Sequence, residues 1–353
     1  MVLKDASAYN VQFRDGGPVL IDTLSFTAYH EGEPWAAYGQ FCRHFLAPLA
    51  LMALRDVRLG GLLREHLDGV PLDLAAGLLP WRTRLRPRLL MHVHAHAASM
   101  RRHARLPAGR QGGRRPAKVS RAALVAIVDS LRRAVADLHW RPGGTTWGDY
   151  YADTNYSAAA LAGKKELVAT FLEAAGDGTV WDLGANNGLF SRLAAARGRF
   201  VVSADADPAA VELNWRACRR DGERLVLPLL VDLANPGPAQ GWAHVERRSL
   251  LGRGPAGIVM ALALVHHLAI GNNVPLAAIA RFLAEAGGHL IVEFVPKTDS
   301  QVRRLLASRP DVFTDYDEPG FRAAFGTVYD ILREERVPES ERVLFLMRRR
   351  VHG

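Results

Sequence analysis

The sequence predicts an α/β fold: a wound, largely parallel sheet preceded by a mainly helical N-terminal domain. Three observations carry that expectation. In residues 179–190 a short apolar run ends at Asp182, turns through Gly184 and Gly188, and continues into an apolar, helix-forming segment. A buried parallel strand hands over to a helix across a ligand crevice in this way. The pattern then recurs. Residues 200–205 form another apolar run ending in an acid, 23 positions after Asp182, and residues 225–231 run into Asp232. Upstream, residues 34–100 are rich in Ala, Leu and Phe at helical spacing, kinked at Pro48 and broken near Pro71 and Pro80, which predicts a group of helices.

Each element follows from local chemistry. Ser157 can cap a helix running to Ala175, and Gly176 ends it. Gly184 permits a tight turn, and Gly188 lets the backbone approach a ligand without a Cβ in the way. The spacing is D-x-G-x-x-x-G, so the dinucleotide cradle of G-x-G-x-x-G is not implied. Asp207 and Pro208 open the next helix as cap and first residue. Residues 257–264 form a fourth strand leading into Val265-His266-His267-Leu268. A helix from Asn273 to Ala286 and a fifth strand, 289–295, follow, and a regular pleat would turn Glu293 toward the crevice. Residues 298–308 open on a capping-box pattern, and 327–337 with 342–349 read as a closing hairpin.

The glycine turn followed by Asp205 and Asp232 resembles the motifs of class I S-adenosylmethionine-dependent methyltransferases over residues of about 145–353. That resemblance implies a Rossmann-like seven-stranded methyltransferase sheet with an antiparallel last strand, and S-adenosyl-L-methionine as cofactor. It places cofactor contacts at Asp182, Gly184, Ala185, Asn186, Gly188, Asp205, Ala206, Asp232, Leu233 and Ala261. Asp205 would take the ribose hydroxyls and Asp232 the adenine amino group. A narrower similarity, to a bacterial nodulation-type methyltransferase group, rests on WDLGAN, ALALVHHLAI and VEFVPK, which begin at Trp181, Ala261 and Val292. The N-x-P-[YF] motif of DNA and glutamine N-methyltransferases is replaced by Ala261-Leu262-Ala263-Leu264.

Methyl transfer is an in-line displacement, so alignment supplies most of the gain, up to ~7–11 kcal/mol. A base adds ~10²–10⁴-fold when the acceptor must lose a proton. His266, His267 and Glu293 are the candidate catalytic residues, since histidine titrates near neutrality. Tyr150, Tyr151 and Tyr156 precede the first strand as candidate lid or substrate residues. Trp242 joins them from the long Gly/Pro-rich loop 234–255, with Glu246, Arg247 and Arg248 beside it. No metal site is expected: Cys42 and Cys218 stand far apart without a CxxC, and His92, His94 and His96 read as helix-surface residues.

Charge divides the chain. Residues 1–150 hold 21 Lys+Arg against 12 Asp+Glu, and residues 151–353 hold 24 against 24. Residues 101–121 carry eight basic residues and no acid, interleaved with Gly and Pro and lacking an aromatic to stack a base. They read as a linker rather than a nucleic-acid arm. The expected organisation is a helical domain over 1–103, a basic linker over 104–120, and a methyltransferase domain over 121–353 with its core from about 157. Near the start, Asp5 and Asn10, then a turn and Asp22, resemble the catalytic loop and metal-binding strand in the C-lobe of kinase-like phosphotransferases. Only four residues precede Asp5, so the phosphate-clamping N-lobe is missing and no phosphotransfer is expected.

The start lacks a signal peptide, and the longest apolar run, 45–54, is too short to span a bilayer, so the cytoplasm is the expected compartment. The expected function is methylation of a small-molecule or saccharide-like acceptor. Two rivals are an RNA or protein methyltransferase using residues 101–121 and a non-catalytic cofactor-binding or pseudokinase-like adaptor.

Overall fold

Helical apolar spacing in the first third of the chain and strand–turn–helix repeats in the last two thirds produce two separate units, Met1–Arg141 and Pro142–Gly353. The computed structural model describes residues 1–104, 118–142, 157–307 and 309–350. Tyr150, Tyr151, Tyr156 and most of the basic run 101–121 lie outside the described residues. Among those described, no helix is long and apolar enough to cross a membrane.

The first unit begins with a hairpin of Val11–Arg14 against Gly17–Leu20, turning through Asp15 and Gly16 at positive φ. Asp5 accepts hydrogen bonds from the Gln40 amide (2.7 Å) and the Ser7 N–H (3.0 Å). Asn10 donates to the Ser25 hydroxyl (3.0 Å), which donates to Asp22 (2.7 Å). The helices bury Cys42, Leu46, Leu51, Leu72, Val93 and Leu131 in one core. The helix runs on through Pro48: Tyr38–Phe41, a π turn over Cys42–Leu46 and Ala47–Leu54 follow without a break, and the Ala47 N–H bonds back to the Cys42 carbonyl, a wider turn that accommodates the proline.

Two expectations are corrected here. The helix Arg121–Ala136, assigned from sequence to the second domain, supplies Leu131 and Ala134 to this first core, and its Ser130 hydroxyl meets His92 at 2.9 Å. His92 and His94 are interior rather than surface residues, at 1% and 8% exposure. The His92 ring bridges the Tyr38 hydroxyl (2.9 Å) and Ser130, and the His94 ring meets the Thr83 hydroxyl (2.8 Å). Each histidine finds partners inside, so desolvation is tolerated only by the neutral ring. Burial accordingly pulls His92 down to about 4. A folded-state value below the unfolded one means the stabilisation is present above the unfolded pKa of about 6.5 and is lost as pH falls toward 4. Unfolding followed by circular dichroism from pH 7.5 to pH 4.5 should show His92 contributing a loss of about 1–2 kcal/mol, which His92→Gln removes, while His44, His94 and His96, also lowered by burial, add dependence of the same sign.

Within the second unit we number elements in chain order. They are α1 (Ala158–Ala174), β1 (Val180–Leu183), α2 (Leu189–Ala195), β2 (Val201–Asp205), α3 (Pro208–Asp221), β3 (Val226–Leu230) and β4 (Ala256–Ala261). They continue with α4 (Leu276–Ala286), β5 (Gly287–Phe294), α5 (Ser300–Leu306), α6 (Glu318–Gly326), β6 (Tyr329–Arg336) and β7 (Val343–Arg349). The seven strands lie in the order β6-β7-β5-β4-β1-β2-β3. β1 to β5 are parallel, and β7 runs antiparallel between β5 and β6. This is a Rossmann-like seven-stranded sheet with an antiparallel last strand.

Period-two alternation builds both faces. Trp181, Val259, Val292 and Phe345 join α4 and α6 in one core, whereas Val180, Ile258, Ile291 and Leu344 join α1 and α2 in the other. The chain reverses direction across the sheet between β1 and β4, where β2 and β3 lie on one side and β4 and β5 on the other. Ligands bind at the carboxyl ends of the strands at such a point.

Candidate functional site

A crevice of about 580 Å³ opens at those strand ends. That volume suits a ligand of small-molecule size. β1 delivers Asp182, 2% exposed, whose Oδ2 accepts the Ser191 hydroxyl at 2.6 Å. The chain then turns through Gly184 at φ 77°, and the Gly184 and Ala185 N–H groups both donate to the Ala204 carbonyl of β2. Gly188 starts α2 at φ 75°, and a Cβ there would fall onto the Asn214 carboxamide. Both positions need glycine for conformation and for space.

β2 ends at Asp205, which ties the turn to the next helix. Its Oδ2 accepts the Asn186 N–H at 2.7 Å and its Oδ1 the Asp207 N–H at 2.8 Å. A carboxylate offers about four acceptor sites, so roughly two remain for a ligand. Asp207 caps α3 by accepting the Ala209 N–H at 2.8 Å. After β3, Asp232 accepts the Ala234 N–H at 2.9 Å and lines the crevice beside Leu233. Across from them, the turn after β4 contributes Leu262, Leu264 and Ala263, the last at φ 51°.

Burial sets the charge states. It pushes the Asp182 carboxyl up to about 7 against the Ser191 hydrogen bond, and the Asp205 charge raises it further. Burial also raises Asp205, against the backbone N–H groups that it accepts. His267 lines the crevice and is pulled by burial down to about 4, with Arg342 adding to the effect. The ring is therefore neutral at neutral pH.

Asp182, Gly184, Ala185, Asn186, Asp205, Ala206, Asp232 and Leu233 all line this one crevice. Gly188 lies at the start of α2 and Ala261 in the core at the end of β4, and neither lines it. His266 is 1% exposed, behind His267, with the ring centroids 4.1 Å apart. Its Nδ1 has no hydrogen-bond partner among the described residues. Glu293 is fully buried outside the lining, where its carboxylate takes the Lys164 ammonium at 2.6 Å and the Arg342 guanidinium at 3.7 Å. Arg342 in turn pairs with Asp299 at 2.8 Å. Trp242 is 84% exposed in the loop between β3 and β4 and does not reach the crevice wall.

Sequence reasoning missed Leu161 and Lys164 from α1, Phe190 from α2, and Gly271 with Asn272 beyond β4, all of which line the crevice. Lys164 carried a usable signal: it shares a helix face with Ala160, Val168 and Phe171 at spacings of four, four and seven, the face that must pack on the sheet.

No protein-family profile matches the chain. The nodulation protein NoeA of Rhizobium meliloti (strain 1021) is 35% identical over 352 residues, covering 98% of this chain and 73% of that protein. Among solved structures, WbdD is 15% identical over 59% of this chain with a TM-score of 0.40, and the match spans only 43% of the WbdD chain. The magnesium protoporphyrin IX methyltransferase of Synechocystis PCC 6803, with bound SAH, is 18% identical over 58% of this chain and 92% of its own, with a TM-score of 0.42. The N-methyltransferase NodS of Bradyrhizobium japonicum WM9 is 10% identical over 55% of this chain and 98% of its own, with a TM-score of 0.40.

Proposed function

The chain belongs to the family of the nodulation protein NoeA, and from that premise we propose that it is an S-adenosylmethionine-dependent methyltransferase acting on a small-molecule or saccharide-like acceptor. One observation carries the reading. Asp182, Asp205 and Asp232, at the ends of three parallel strands, converge on a single crevice. The residues fit the cofactor: Asp205 keeps acceptor capacity for two ribose hydroxyls, and Asp232 offers a carboxylate to an exocyclic amine. When bound, the cofactor supplies a methyl group activated on a sulfonium.

The rest is work for the chain's own groups. The turn from Asp182 to Asn186 fixes the ligand's depth in the crevice through its clamp on Ala204 and Asp205. His267, neutral and facing the crevice, accepts the proton that an acceptor hydroxyl loses. His266 packs behind that ring and supports its position. Glu293, without access to the crevice, acts through Lys164 as a positioning residue.

Calorimetry of the full chain with S-adenosylmethionine tests the binding claim directly, and an absence of binding would overturn it. Transfer of labelled methyl from the same donor into pooled small molecules and saccharides tests the acceptor claim. His267→Ala should lower turnover ~10²–10⁴-fold while the donor Kd stays within about threefold. His266→Ala should instead mainly lower thermal stability, because it opens a cavity. Equal turnover in His267→Ala and the parent would remove the base from the mechanism.

A further inference from the structure

The crevice is unbalanced in charge. Asp182, Asp205, Asp207 and Asp232 line it, and Lys164 is the only lysine or arginine among the described lining residues. The Lys164 ammonium is already held 2.6 Å from the Glu293 carboxylate, so little of its charge is left to offset Asp182. From β2, the partly buried Asp205 adds a second negative group beside Asp182. β4 faces Asp182 with Met260, which has no charge, and the neutral His267 completes that wall. From α2 Ser191 meets it, with its hydroxyl and its backbone N–H.

That hydroxyl belongs to a chain that can run either way. Ser191 Oγ lies 2.6 Å from Asp182 and 2.7 Å from Ser203 Oγ, which accepts the Asn214 amide at 2.8 Å. With Asp182 ionised, Ser203 donates to Ser191 and Ser191 donates to the carboxylate. With Asp182 protonated, its O–H donates to Ser191 and Ser191 donates to Ser203. Both states leave the buried carboxyl itself hydrogen-bonded to Ser191.

We propose that Asp182 gives up a proton when a positively charged ligand enters and regains it when that charge is gone, so that the crevice holds the sulfonium methyl donor in preference to its neutral thioether product. This rests on the donor reading above and names the residue that sets the preference. The exchange breaks one carboxyl O–H bond, sends the proton to solvent, and leaves a carboxylate facing the sulfonium, with no covalent bond to the ligand. Burial that places Asp182 at about 7 puts the exchange in the neutral range.

The test is calorimetry of the full chain with S-adenosylmethionine and S-adenosylhomocysteine between pH 6 and pH 8, in two buffers of different ionisation enthalpy. For a carboxyl at about 7, the donor Kd should rise about tenfold from pH 8 to pH 6 relative to that of the thioether. The Asp205 contribution is common to both ligands and cancels in the ratio. Both ligands carry their own titrating amine, so proton release is read as wild type minus Asp182→Asn, where about half a proton is expected at pH 7 for the donor alone. Ser191→Ala, which removes the hydroxyl that favours the ionised form, should move the wild-type transition to higher pH. Parallel pH dependence of the two ligands in the wild type overturns the proposal, as does a wild-type dependence retained in Asp182→Asn. Failure of either ligand to bind would instead sink the donor reading itself.

Discussion

Asp205→Ala should weaken S-adenosylmethionine binding at least about 100-fold, because one carboxylate does three things at once. It takes the Asn186 N–H at 2.7 Å, takes the Asp207 N–H at 2.8 Å, and presents its remaining lone pairs to the crevice. Hydrogen bonds to a charged group contribute about 1.5–3 kcal/mol each. Losing two ribose contacts therefore costs about 3–6 kcal/mol of binding, and each 1.4 kcal/mol is tenfold in Kd. Alanine also removes the Asp205 acceptor of the Asn186 N–H, at a residue that already sits at φ 50°. The turn that sets ligand depth should loosen as well. Asp205→Asn keeps one acceptor oxygen and should fall between the two. Calorimetry at pH 8 decides the matter, and a Kd within about threefold of wild type would show that the ribose does not sit here.

The parts of this site legible in the sequence are those made by adjacent residues. A strand end, a glycine turn and a helix start lie within about ten positions, so the pattern places Asp182, Gly184 and Gly188 on their elements, and Asp205 closes the next such run 23 positions on. The pairing of Lys164 with Glu293 could not be read in this way, since the two are 129 positions apart and only the sheet brings them together. Glu293 shows how a correct element can still mislead. Its strand runs from Gly287 to Phe294, as the alternation predicted to within a few residues. Pleat parity then puts Glu293 on the same face as Ile291, the face covered by α1, so it meets Lys164 rather than the crevice. The helix Arg121–Ala136 teaches a related lesson: its apolar stripe shows that one face is covered, but periodicity carries no information about which core covers it. His92 and His94 look like surface residues for the same reason, because their partners Tyr38, Ser130 and Thr83 are distant in sequence.

Glu293→Gln should be the most destabilising conservative change in the second unit. Its carboxylate is fully buried between Lys164 at 2.6 Å and Arg342 at 3.7 Å, and the two cations are themselves only 3% and 2% exposed at their side chains. Breaking a buried pair by neutralising one partner leaves the other charge uncompensated, at a cost of about 3–5 kcal/mol. In a unit of this size that corresponds to a fall of roughly 10 °C in melting temperature. Arg342 keeps Asp299 at 2.8 Å, so the uncompensated charge falls mainly on Lys164, whose pKa burial already lowers. The double variant Lys164→Met with Glu293→Leu removes both charges and leaves the Arg342–Asp299 pair, and should recover most of the lost stability. Scanning fluorimetry of the three proteins separates the possibilities. If Glu293→Gln costs under about 1 kcal/mol, or the double variant is worse than the single, the charges are not stabilising one another. The same substitution reaches the crevice through α1, because that helix carries Leu161 and Lys164 to its wall. Donor affinity should therefore fall along with stability in Glu293→Gln and return in part in the double variant.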